Sequence, residues 1–551
     1  MSVVTATIKS NGKVVSPELE LLYIDLRVEY NRIPSGEIGY VDGDVANQHF
    51  PVSESDLFEP GREIEIALRY EGDASSEKTV FKGVVLKHSL QLKGDGFVFI
   101  AELSDAAVNM TGSRKSSLFE NVKDSEVISK LISGSGAKTG TVEATAVQHK
   151  KLIQYYSSDW DFMLSRAETN GLLVSVKNGT ISAAKPSVSG SAAHSFELGI
   201  DEIYDFDFEA DARNQYAAVK SQVWDQKKQQ LIAPKEAKAF KIVQGNFDAD
   251  KLSKVVNKKG DLLVSAIATD DGEAQAWADA RMTKTRLSML KGRFRVNGSA
   301  AYNVGDVIEI KGVGKRFSGK TILTGVHHQV DTGGWFCDLQ FGLSPDPFSS
   351  QANITDAKAA GLLPGVNGLQ IGIVDKYEAD PDKESRVKVK VPAIDEKNGL
   401  VWARLASIYA GKESGVFFWP EPGDEVILGF LNDDPRHPVI LGSVNSSANP
   451  SPLKPADKNP QKGIVTKQGI RILLDDENKL LSVSTSDKNI ITINDKDKFI
   501  EIKDANNNTV KLSADGILLD SGKDIVIKAA GDIKMEASKN VKIKGTKTDI
   551  T

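Results

Sequence analysis

A single cysteine, Cys337, stands among 551 residues, so no disulfide framework can form within the chain. It sits in "GWFCDLQFGL", an alternating strand pattern, and reads as a small core residue rather than a nucleophile. Long apolar runs are also missing. No stretch approaches the roughly 18 apolar residues of a membrane span. The N-terminal "MSVVTATIKSNGK" lacks the basic region and apolar core of a Sec signal. Synthesis in a cytoplasm is expected, with any exit made by another route. Neither sign of charge dominates: the net charge is −6, and no Lys/Arg block points to nucleic acid or an anionic membrane. H-E-x-x-H, C-x-x-C, P-loop and G-x-S-x-G patterns are absent. No catalytic residue, cofactor or metal site is therefore predicted. The adjacent His327 and His328 fall in a strand pattern and point to opposite faces, which argues against a shared metal. Carboxylate pairs such as Asp380/Asp382 and Asp433/Asp434 lie beside prolines and read as solvated turns.

What is present is mainly β. "VVTATIKSNGKVV" reads as strand, Asn-Gly turn, strand. Alternation with period two continues through "REIEIALRY", "TVFKGVVLKHSLQ" and "GFVFIAELS". Helices are expected over 124–136 with Asp124 as N-cap, from an Asp159 cap to Asn170-Gly171, and over 272–292. Residues 1–345 form one large region, and 346–368 carry little pattern and read as a linker. Residues 369–446 show about five short strands with Gly/Pro turns, the signature of a small barrel. A Pro-rich connector spans 447–465, and a repeat region runs over 466–551.

The repeats are the strongest signal. Ile517, Ile525, Ile533 and Val541 recur every eight residues, as do Leu519, Ile527, Met535 and Ile543. Looser apolar-x-apolar pairs precede them: Ile472/Leu474, Leu481/Val483, Ile491/Ile493, Ile500/Ile502 and Val510/Leu512. Such alternation means strands with one buried face. Two inward side chains are worth roughly 1.5–3 kcal/mol each. Ordering eight residues costs about 1–2 kcal/mol per residue. A lone ribbon of these strands cannot hold together. A single-chain β-helix commonly needs about 20 or more residues per turn, and its short-repeat signatures are missing. Three chains winding together fit better, each giving one strand per layer around a dry axis, with every strand edge taken by another copy. About nine strands at ~4.7 Å per layer make a needle of roughly 40–45 Å. An ordinary β-sandwich with accidental repeats is the alternative.

The barrel region then carries a resemblance. Trp402-Ala403-Arg404, Pro420-x-Pro422-Gly423-Asp424-Glu425, Gly429, Asp434-Pro435 and the run Pro438 to Gly442 resemble the OB-fold of VgrG proteins and contractile-phage spikes. "QYYSSDWDFMLSRAETNGLLV" is similar to a VgrG segment, with Ser157 where that family often has Glu. "VGDVIEIKGVGKRFSGKTILTGVHH" resembles phage hub strands. The resemblance implies two hub-like β-barrels with small α/β parts in 1–345, an OB collar, and a trimeric β-helix spike. It implies a non-enzymatic hub and needle of a contractile injection machine. The implied partners are tail-tube and hub-adaptor proteins, baseplate proteins, effectors, and a PAAR-type tip protein seated on Thr546, Lys547, Thr548, Asp549, Ile550 and Thr551. An iron held by a His-x-His near the tip, known in some spikes, is not expected, because "NVKIKGTKTDIT" has no histidine. No effector extension or lysozyme insert is expected either. Trp402, Phe417, Phe418 and Trp419 read as packing residues, since no basic stripe accompanies them for nucleic acid. A polysaccharide-degrading tailspike and a host-binding fibre are the competing classes.

Overall fold

The computed structural model describes residues 3–550 apart from 73, 74, 76, 95, 258 and 352. It divides into two compact units, Met1–Ala357 and Lys358–Thr551, with the boundary inside the expected linker.

In the first unit, the Asn11-Gly12 turn forms as its sequence requires. Both residues take positive φ (46° and 79°), and Lys9 pairs with Val14 across the hairpin. The two expected barrels do not separate. Strand Leu21–Glu29 pairs with Gly319–Asp331, Arg27 facing His327, and this seam fuses the strands into one 13-stranded sheet. The reason is an open edge that finds its partner about 300 residues away, which no local pattern reveals. Period-two alternation still sets the core. Ile24, Leu26, Ile38, Ile64, Ile66 and Phe99 meet Phe294, Leu339 and Phe341 in one buried cluster.

Among the described residues, four α-helices flank the sheets: α1 (Asp124–Gly134), α2 (Asp159–Thr169), α3 (Ala249–Val256) and α4 (Asp271–Leu287). The third was not expected from the pattern. Two expected caps move by one residue. Asp124 is the first helical residue, and Glu126 accepts from the Lys123 amide instead (2.8 Å). The buried Asp124 carboxylate receives Arg166 Nε and Nη2 (2.6 and 3.0 Å) and Asn170 Nδ2 (2.9 Å), and lies 2.9 Å from His149 Nε2. Burial raises the Asp124 carboxyl, but these partners, Arg166 above all, outweigh it and hold the group below its usual range. Ser158 caps α2 by accepting from the Asp161 amide (3.0 Å), while Asp159 accepts from Gln154. α4 ends at Leu287, and a strand starts at Leu290.

The second unit opens with a closed five-stranded barrel in the order 370–374, 387–390, 400–405, 438–443, 425–430. Its core is small and aliphatic: Val374, Val387, Val389, Val391, Ala403, Val426, Leu428 and Ile440. A seven-stranded sheet follows, built from Gln461–Val465, Arg471–Asp475, Leu480–Ser484, Ile490–Asn494, Phe499–Lys503, Thr509–Ser513 and Gly516–Asp520. Each strand pairs antiparallel with the next. The expectation that other copies take every strand edge therefore fails for 461–520, where the chain pairs with itself. Connections of four or five residues between the strands from 471 to 513 are long enough to reverse direction. The first strand also takes in the last five residues of the expected connector. Among the described residues after 520, no strand forms.

Candidate interaction surface of the C-terminal repeats

Each meander strand has five residues, so its second and fourth side chains share a face. Register stacks them into two columns. One runs Ile464, Ile472, Val483, Ile491, Ile502, Val510, Leu519, and the other Leu474, Leu481, Ile493, Ile500, Leu512, Ile517. All but Leu481 are exposed, from 37 to 75 %. Covering them is worth about 1 kcal/mol each, on the order of 10 kcal/mol per chain. An apolar face this continuous marks an interaction site.

The other face is mostly polar. Lys511 lies 3.8 Å from Glu501 and 4.8 Å from the Phe499 ring centre. The turns are held by their own side chains. Asp475 accepts from the Asn478 amide (2.9 Å) and Asn494 from the Asp497 amide (2.8 Å). Hydrogen bonds from Gln461 and Asn478 hold the Asp475 carboxyl below its usual range. Lys479, Lys488, Lys498 and Asn507 each take a left-handed conformation that reverses the chain.

The octads behave differently. Ile517 and Leu519 stand in the last strand, while Ile525, Ile527, Ile533, Met535, Val541 and Ile543 are all exposed. Thr546, Lys547, Thr548, Asp549 and Ile550 are exposed as well, with Lys547 paired to Asp549 at 2.9 Å. Thr551 lies outside the described residues.

The barrel motif residues shape the barrel. The Pro422-Gly423-Asp424 turn ties two strands together: Gly423 has φ 92°, its amide donates to the Val374 carbonyl (2.9 Å), and Asp424 Oδ2 accepts from the Glu421 amide. Glu425 opens the next strand opposite Ile373, Gly429 pairs with Val439, and Gly442 pairs with Ile427. Asp434, before Pro435, accepts from Arg436 Nη2 (2.6 Å), which brings its carboxyl down to about 2. Arg404 is exposed on its strand. Trp402 corrects the sequence reading. The alternation of 386–390 directs Arg386 and Lys388 outward, and each stands 5.9 Å from its ring. The signal was the pattern Arg-Val-Lys-Val-Lys. Asp380 and Glu378 already pair with these cations (2.6 and 2.8 Å), so the patch is no open anion site.

His327 and His328 do point apart. His327 lies 2.8 Å from Asp25 and 3.6 Å from Asp338, while His328 Nδ1 meets Cys337 Sγ at 3.0 Å. Burial pushes the Cys337 thiol up to about 12 and the His328 imidazole down to about 4, so both are neutral core groups. Among the described residues, no group of three or more His, Cys, Asp or Glu side chains is arranged to hold a metal ion, and no helix is long and apolar enough to cross a membrane.

Residues 370–444 match the type VI secretion system/phage-baseplate injector OB domain. The spike protein VgrG1b of Pseudomonas aeruginosa is 26% identical over 224 residues, 36% of this chain and 28% of the relative. VgrG3 of Vibrio cholerae is 34% identical over 109 residues, 18% of this chain and 11% of the relative. The matches thus span well under a third of these curated relatives. Among solved structures, an E. coli type VI secretion component, described as similar to T4 tail proteins gp27 and gp5, is 12% identical with a TM-score of 0.42, covering 79% of this chain and 99% of that one.

An injector OB barrel joined to a VgrG-like sequence defines a VgrG-type spike protein of the contractile injection class. The chain belongs to the family of the Alg8 N-terminal domain, whose model matches residues 1–332.

Proposed function

We propose that three copies of this chain form the hub and central spike of a contractile injection machine. They would join a sixfold tail tube to a threefold needle that pierces a target envelope. The observation that carries this reading is the uncovered double column of aliphatic side chains on 461–520. A one-layer sheet with one dry face is stable only when that face is covered. Three such sheets, apolar faces inward, make a triangular prism with a dry axis. The octads then continue the shaft. Ile525/Ile527, Ile533/Met535 and Val541/Ile543 have no intrachain strand partner, so their backbone groups are satisfied by winding with two other copies.

The role is mechanical rather than chemical. Axial force is spread over many hydrogen bonds between chains and over the shared core. In this reading tail-tube, hub-adaptor and baseplate proteins bind the N-terminal region. A PAAR-type tip protein, with or without effectors, sits on residues 546–551. The target membrane is met only during injection, and the machine itself exports the protein.

The test is the mass in solution of the full chain and of a chain lacking residues 466–551. Three times 59.6 kDa is expected for the former and a lower mass for the latter. A monomeric full-length protein at micromolar concentration would overturn the reading.

A further inference from the structure

The first unit holds a cavity of about 500 Å³, within the roughly 300–1,000 Å³ of small-molecule sites. Val28, Phe81 and Val326 line it from the hub sheet, Ala300 and Tyr302 from the segment after strand 290–297, and Thr180 from the hairpin 173–184. That hairpin is fixed in place. Asn178 and Gly179 take positive φ (49° and 76°) at its turn, and the Gly179 amide donates to Asp105 Oδ2 (2.8 Å). Further back, the Val174 amide donates to Asn31 Oδ1 (2.9 Å), and the Asn31 amide donates to the Val174 carbonyl (2.7 Å). Lys177, which donates to Asn303 Oδ1, stands exposed at the rim.

His328, 4 % exposed, lines this cavity. Its Nδ1 is engaged from behind: Trp335 Nε1 donates to it (3.4 Å), and Cys337 Sγ lies at 3.0 Å. The indole is locked against the backbone of Gly298, where a Cβ would fall 2.1 Å from the ring. An acceptor at Nδ1 leaves the proton of the neutral imidazole on Nε2. His328 Nε2 has no hydrogen-bond partner among the described residues and, unlike Gln154 Oε1, is not sealed from solvent, so its N–H opens into the cavity. Tyr302 lines the same space, and its hydroxyl has no partner among the described residues either. Buried donors are matched in folded proteins. An acceptor must therefore meet these groups from the cavity side.

The charges narrow the acceptor. Asp105 lines the cavity, is 1 % exposed, and accepts only from the Ala107 and Gly179 amides (2.9 and 2.8 Å), with no cation paired to it among the described residues. It turns away an anion. Lys177 at the rim and the inward N–H of His328 turn away a cation. A neutral molecule with an apolar body and a carbonyl oxygen remains.

We infer that this cavity binds a small neutral carbonyl compound, its body against Val28, Phe81 and Val326 and its oxygen accepting from His328 Nε2. The site lies wholly within the first unit and does not depend on the trimer reading. The probe is prodan, a neutral naphthyl ketone whose emission moves to the blue on leaving water, titrated into the full-length protein. One saturable site per chain is expected. N,N-dimethyl-6-propyl-2-naphthylamine has the same body without the carbonyl oxygen and reports the hydrogen bond by difference. His328→Phe should shift the ratio of the two dissociation constants at least about tenfold against the ketone, whereas loss of a merely structural histidine would weaken both alike. Ala300→Phe, in the half-buried segment of the wall, should abolish saturable binding of both compounds while the circular dichroism spectrum stays that of the parent, and it carries the test alone if His328→Phe does not fold. Prodan that fails to saturate on the parent protein, a ratio unmoved by His328→Phe, or binding unchanged in Ala300→Phe overturns the site and leaves the spike reading standing.

Discussion

The hub sheet and the repeat sheet are built from the same alternation and end in opposite states. Along Leu21–Glu29 and Glu63–Tyr70, alternate residues such as Leu26 and Ile66 vanish into a core made by the chain itself. Along 461–520, alternate residues stay half in water. The difference lies in what stands opposite. The hub sheet meets strands from residues 290–341, whereas the repeats are alike, and like strands stacked side by side make one layer with nothing over it. Within the repeats, spacing makes a second division. Strand starts at 471, 480, 490, 499 and 509 lie nine or ten residues apart and leave room for hairpins. The octads keep the same apolar-x-apolar unit at a shorter spacing, and the first of them, Ile517/Leu519, still pairs within the chain through the two-residue connection 514–515. Among the described residues, strand pairing ends after Asp520.

The sharpest way to break this comparison is Ile527→Asp. In the proposed trimer it would force three carboxylates together on a dry axis. Trimer stability should fall by on the order of 5 kcal/mol, read as a mass that drops towards the monomer on dilution. An unchanged trimer would remove Ile527 from the shared core. Next comes Arg166→Ala in the hub, which leaves Asp124 buried without its main partner. Unfolding free energy should drop by about 3–5 kcal/mol, equally at all protein concentrations. A concentration-dependent loss would mean the hub is not closed within its own chain.

A smaller effect is expected at Lys488, which takes φ 65° in a meander turn. Lys488→Gly relieves that conformation and should stabilise the turn by about 0.5–1 kcal/mol, seen as slower amide exchange in 480–494. The smallest is a pH effect. Burial lowers the His327 imidazole, but Asp25 and Asp338 outweigh it and hold the group above its ordinary value. Its contribution is fully present below the unfolded imidazole value and is lost as pH rises through the raised folded value. The thermal midpoint difference between the parent protein and His327→Gln should therefore shrink from pH 5.5 to pH 9. A difference that grows would reverse the sign.

Much of this was legible in residues. The Asn11-Gly12 hairpin, α1, α2, α4, the five-stranded barrel and the apolar pairs of the repeats all follow from local patterns. The helix caps slipped by one residue because Asp124 and Asp159 both look like caps, and only the fold shows Arg166 and Gln154 drawing their side chains away. The cations around Trp402 were missed because a run of alternating Arg, Val and Lys reads as a strand before it reads as a charged face. The hub barrels merged because strand pairing over 300 residues leaves no trace in either partner alone.

Sequence alone determined which side chains share a face, since period two is a property of the extended backbone. It also set the expectation that the repeats need a covering partner, since their apolar area is small for the entropy they cost. Only the tertiary structure decided which edges pair. It sent residues 461–520 back on themselves and fused the hub strands, because hydrogen-bonding edges are alike in every strand and geometry selects among them.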